Sequence, residues 1–107
     1  MYPAYFSGPA YISDKMRLGQ IYARRLRASL QFPIGIFLVG SVANFKDQPH
    51  SDIDIRIYDP GGMNGYRLKY LANLFAGRMY QETGVRFDVK FRDSSILRMF
   101  PGRIMEL

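Results

Sequence analysis

Two aspartates, Asp52 and Asp54, stand one residue apart in the run "SDIDIRIY", Ser51 to Tyr58. The run alternates. Ile53, Ile55 and Ile57 share one face and Asp52, Asp54 and Arg56 the other, which is the period of a half-buried strand. Carboxylates at i and i+2 of a strand are roughly 6.5–7 Å apart along the chain and can converge on one cation. Left alone they repel; a divalent cation removes that penalty and lowers both pKa values. Donors that are all oxygen suit Mg2+ or Mn2+ rather than Zn2+. Asp88 is the third carboxylate of interest. In "VRFDVKF", Val85 to Phe91, it alternates with Arg86 and Lys90 against Val85, Phe87, Val89 and Phe91. If the two runs neighbour each other, three carboxylates share one patch. Two-metal nucleotidyl transfer needs such a patch: one metal lowers the pKa of the attacking hydroxyl and both steady charge at phosphorus. Asp88 would then be the ligand or base nearest the acceptor.

A second cluster precedes the acids. Gly40-Ser41 follows the apolar run "IGIFLVG", Ile34 to Gly40. Glycine lets a phosphate approach the backbone, because it has no Cβ. Ser41 offers a hydroxyl and an amide N–H. If residues 41–46 open a helical turn, its start directs partial positive charge at a phosphate, and Lys46 adds a full charge.

Each piece also has an ordinary reading. A Gly-Ser pair after a strand is usually a turn, an Asp-x-Asp in a strand is usually a hydrated outer face, and an Asp between Arg86 and Lys90 is usually ion-paired. The combination, with a ten-residue spacer between Ser41 and Asp52, is much rarer. It resembles the minimal nucleotidyltransferase family, a branch of the DNA polymerase beta-like superfamily, through "GSVANFKDQPHSDID" (Gly40 to Asp54) and Asp88. The resemblance spans about residues 14–100. It implies an α+β fold in which a small mixed β-sheet is flanked by helices. It also implies transfer of a nucleoside monophosphate from an NTP, often ATP, with Mg2+ and release of pyrophosphate. Gly40 and Ser41 would hold the triphosphate, Asp52 and Asp54 the metals, and Asp88 would activate the acceptor hydroxyl. Many members are antitoxins of a helical HEPN-type ribonuclease toxin, which some modify with AMP. Val42-Ala43-Asn44-Phe45 stand where many members carry a basic residue and a glycine. The alternative reading is a catalytically inactive module of the same fold that binds nucleic acid or a protein partner.

The elements that must position these residues follow from pattern. Ser13-Asp14 can cap a helix. Leu18, Ile21, Tyr22, Leu26 and Leu30 give it an apolar stripe, and Pro33 ends it near Phe32. Ile34 to Gly40 reads as a buried central strand and Ser51 to Tyr58 as its neighbour. "DPGG" at Asp59–Gly62 is a turn. Asn64 to Glu82 reads as a second helix, with Leu68, Leu71, Leu74, Phe75 and Met79 inward and Gly84 as its C-terminal cap. Ser94 or Ser95 opens a last short helix that Pro101 interrupts. Residues 1–12 read as an irregular arm and 13–107 as a single domain.

The chain has 107 residues, 48% of them hydrophobic, enough for one core without staples. It has no cysteine, which rules out disulfides and thiolate metal sites. No apolar run approaches the roughly 20 residues of a membrane span, and the start lacks a signal-peptide pattern. The expectation is a cytoplasmic protein. The net charge of +6 favours polyanions such as RNA or NTP as partners. His50, the only histidine, reads as a loop residue. The eight Tyr and eight Phe are expected mainly in the core or the arm.

Overall fold

Ser13 caps the first helix as its side chain allows: the hydroxyl accepts from the Met16 amide at 3.2 Å, and α1 runs Asp14–Ala28. The computed structural model describes residues 5–6, 12–59, 65–92 and 102–107. Met16, Gly19, Tyr22, Ala23 and Leu26 are the buried positions of α1, so the inward face is turned slightly from the expected stripe, and Leu18 and Ile21 lie at its margin. The helix stops several residues before Pro33. The Ser29 amide donates back to the Leu26 carbonyl and the Ser29 hydroxyl to the Arg25 carbonyl, which closes the last turn at that point.

After α1 the chain forms β2 (Gly35–Val39), the single turn α2 (Gly40–Ala43), β3 (Ile53–Tyr58), α3 (Gly65–Thr83), β4 (Phe87–Arg92) and β5 (Ile104–Glu106). A two-residue strand, β1 (Tyr5–Phe6), lies within the segment expected to be irregular. The five strands form one mixed sheet in the order β1-β5-β2-β3-β4. β2 is antiparallel to β3 and to β5, while β3 and β4 are parallel and joined through α3. A parallel pair needs such a crossover.

β2 is buried on both faces, as a central strand must be. Ile36 and Leu38 join Ile53, Ile55 and Ile57 in the main core with Met16, Tyr22, Leu26, Leu68, Ala72 and Met79. Burying each such aliphatic chain stabilises the fold by roughly 1.5–3 kcal/mol. Phe37 and Val39 face the other way and pack with Ile104. Both long helices therefore cover one face of the sheet and leave the polar residues of β3 and β4 on the opposite face. The Tyr22 hydroxyl donates to the Ala72 carbonyl at 2.8 Å, joining α1 to α3. Burial pushes the Tyr22 phenol well above its ordinary range. Arg25 grips Glu82 with two hydrogen bonds of 2.7 and 3.0 Å at the rim of that interface.

α3 ends one residue later than expected, and Gly84 caps it at φ 75° with its amide on the Tyr80 carbonyl. Leu74 is at the margin of its buried stripe rather than in the core. β5 was not anticipated from its short sequence. The "DPGG" turn after Asp59 and the expected helix from Ser94 or Ser95 to Pro101 lie outside the described residues. The architecture is the α+β one that the sequence implied.

Candidate active site

Register brings the acids together. Val39 of β2 pairs with Asp54 of β3, and Asp54 pairs with Asp88 of β4. Neighbouring strands are about 4.8 Å apart, so the two carboxylates stand side by side on the face away from the helices. Both are partly buried, while Asp52, just before β3, is exposed. One step along the same strands, Arg56 lies beside Lys90. The face is thus a row of two carboxylates next to a row of two cations.

These groups set one another's ionisation. Burial pushes the Asp54 carboxyl up from its usual range. Arg56 pulls it down, and Asp88, Asp52 and a hydrogen bond shared with Asp88 push it up again. Arg56 is itself buried. Its Nη1 donates to the carbonyls of Ile55 at 2.9 Å and Asp88 at 3.2 Å, and its Nη2 lies 3.6 Å from Asp88 Oδ2. Lys90 Nζ is 4.0 Å from the same oxygen.

Gly40 meets the acids directly. It follows β2 and opens α2 at φ 75°, and a Cβ there would overlap the Asp54 carboxylate. Only glycine satisfies both the conformation and the close approach. The helical turn expected over 41–46 is the shorter α2. The Lys46 amide closes it on the Ser41 carbonyl at 2.8 Å. No side chain caps the start of α2. Ser41 is half-buried in its first turn, and Lys46 is exposed beyond its end.

Residues outside the expected ligand set hold this arrangement. Asn44 Nδ2 donates to the Gly40 carbonyl at 2.7 Å, and its Oδ1 accepts from the Arg103 amide at 2.8 Å. Gly102, at φ 82°, leaves room for that amide, since a Cβ would overlap Asn44 Oδ1. Phe45 adopts φ 57°, and the Arg103 guanidinium lies over its ring at 5.7 Å. On the other side, Lys15 Nζ donates to the carbonyls of Gln48, Pro49 and Ser51 at 2.9, 3.2 and 2.7 Å. It thereby fixes the turn that leads into Asp52. His50 is exposed within that turn.

The donors fit a hard cation in kind. Asp54 and Asp88 are adjacent carboxylates whose mutual repulsion a divalent ion would relieve. Asp52 stands apart from the pair at the open end of β3. Among the described residues, no group of three or more His, Cys, Asp or Glu stands together as a ready metal cage.

No protein family profile matches the chain, and no curated protein is similar to it. One solved structure is similar: the crystal structure of a "putative nucleotidyltransferase" from Sulfolobus solfataricus. The two superpose with a TM-score of 0.56 at 18% identity, covering 87% of this chain and 86% of that one. The likeness establishes the nucleotidyltransferase-like fold.

Proposed function

We propose that this chain is a metal-dependent nucleotidyltransferase, which moves AMP from ATP to a hydroxyl of a nucleic acid or a protein. One observation carries the reading: Gly40 lacks the Cβ that would overlap Asp54, and Asp54 pairs with Asp88. A turn suited to phosphate thus abuts two carboxylates suited to a cation. Gly40 and Ser41 would take the triphosphate, with Lys46 adding positive charge at the mouth. Asp54 and Asp88 would hold Mg2+ or Mn2+, with Asp52 as a further carboxylate at the open end of β3. When bound, the metal supplies charge neutralisation at phosphorus and a lower pKa for the attacking hydroxyl. Asp88 accepts the hydroxyl proton. The oxygen bonds to the α-phosphorus, the bond to the bridging oxygen breaks, and pyrophosphate leaves. Arg56 steadies the Asp88 carboxylate from within the sheet.

Calorimetric titration with ATP, with and without Mg2+, tests the proposal. The wild type should bind ATP only with the metal, and Asp54→Asn/Asp88→Asn should not bind. Binding that survives loss of both acids would overturn the assignment. In a second reading the fold has become a module without transfer activity. The buried Arg56 favours it, because its guanidinium already faces Asp88. ATP binding without any transfer of labelled AMP would select that reading. An antitoxin role rests on the sequence resemblance. Its test is co-purification with a HEPN-type toxin and a mass gain of one AMP on that toxin.

A further inference from the structure

Charge on this molecule is segregated by layer. Together α1 and α3 hold eight Lys and Arg and two Asp and Glu, a net of +6, which is the net charge of the whole chain. The remainder, acid face included, is neutral in sum. Glu82, one of the two acids, is taken by Arg25. Among the described residues, no ion pair engages Arg17, Arg24, Arg67 or Lys69, and all four are exposed; Arg78 acts on Glu82 as well, and Lys69 lies over the Phe91 ring at 6.0 Å. A face that only solvates mixes both signs; this one does not.

The outer surface also has order. Arg17, Gln20, Arg24 and Arg27 follow at spacings of three, four and three, a single line along α1 of about 15 Å. Arg27 turns inward, its Nη1 donating to the Leu107 carbonyl at 2.6 Å, so Arg17 and Arg24 are the cations of this line that face solvent. The neighbouring helix adds aromatics rather than acids. Tyr66 is 92% exposed and Tyr70 66%, one turn apart on α3, and Lys69 shares their shallow groove. Exposed rings beside a lysine suit an unpaired base stacked next to its phosphate.

We infer that the outer surface of α1 and α3 binds a single-stranded polynucleotide, with Arg17 and Arg24 on its phosphates and Tyr66 and Tyr70 under its bases. The choice of a nucleic-acid over a protein acceptor rests on the transferase reading; the binding does not. The experiment is fluorescence anisotropy of the full chain with a labelled 20-nucleotide RNA, in 50 to 300 mM NaCl, without ATP or metal. A DNA strand, an RNA duplex and phosphatidylserine vesicles run in parallel. Single strands should bind with a steep salt dependence. Arg17→Gln/Arg24→Gln, which cuts no internal bond, should lower the log–log slope by about 1.4, since each phosphate contact on a single strand contributes about 0.7. Tyr66→Ala/Tyr70→Ala should weaken binding by about fivefold or more and leave the slope alone. Asp54→Asn/Asp88→Asn should still bind. Failure of wild type to bind a single strand at 50 mM NaCl overturns the inference. So does an unchanged slope in the arginine variant, or binding of the duplex or vesicles as tight as that of the single strand. Loss of ATP binding alone would touch only the transferase proposal.

Discussion

Asp54 is the residue most sensitive to what fills the site. Its carboxyl is held up by burial and by Asp88 and Asp52, against the pull of Arg56, so without a cation the folded state binds its proton more tightly than the unfolded chain does. The folded pKa lies above the unfolded one, and the native state therefore holds more protons. Stability then falls as pH rises from the ordinary carboxylate range through the raised value, and it stays reduced at neutral pH. Asp54→Asn should consequently raise Tm at pH 7 in metal-free buffer and shrink the rise that Mg2+ gives the wild type. An equal or lower Tm for the variant in metal-free buffer would contradict this account. Gly40→Ala is the complementary test. It adds strain of about 1–2 kcal/mol at a positive φ and drives a methyl into Asp54, so ATP binding should be lost by calorimetry while the circular dichroism spectrum persists. Asp52, Asp54 and Asp88 were all legible in the sequence because strand alternation is a local signal. So was the place of Arg56 on the same face as Asp54. The Gly40–Asp54 fit was not, because it depends on the antiparallel register of two strands.

Among elements, the loop between α2 and β3 depends on a residue from α1. Lys15→Met removes three hydrogen bonds to carbonyls and should cost about 1–3 kcal/mol. Amide exchange at residues 48–53 should accelerate more than exchange in β4; uniform acceleration would mean that Lys15 acts on the whole fold instead. Asn44→Ala unfastens α2 from the segment before β5. It leaves the Gly40 carbonyl and the Arg103 amide without that partner, and ATP affinity should drop by about tenfold or more as the turn drifts. Neither role could be read from sequence, since Lys15 and Asn44 reach partners 33 to 59 residues away. For the same reason β5 went unseen: three residues cannot show a period, and their place between β1 and β2 is a tertiary matter. The long helices were plain because each repeats its apolar spacing over several turns. The end of α1 was placed too late, because the Ser29 cap acts before Pro33, and the end of α3 one residue too early.

For the molecule as a whole, stability rests on the core under the helices. Ile55→Ala should cost about 2–5 kcal/mol, a large share of the roughly 5–15 kcal/mol typical of such domains. Urea unfolding would measure it, and a loss under 1 kcal/mol would mean that the β3 face is less tightly packed than it is drawn. Among the described residues, no helix is long and apolar enough to cross a membrane. The clasp between Asn44 and Arg103 also has a meaning in time. It joins residues 59 apart in sequence, whereas β3 and β4 pair across 34 (Asp54 with Asp88). Long closures carry the larger entropic cost and tend to form late. A newly collapsed chain would hold its carboxylates in line before its phosphate turn is fastened. A chain under mild stress would lose the fastening first, and with it the nucleotide, while the sheet is still intact.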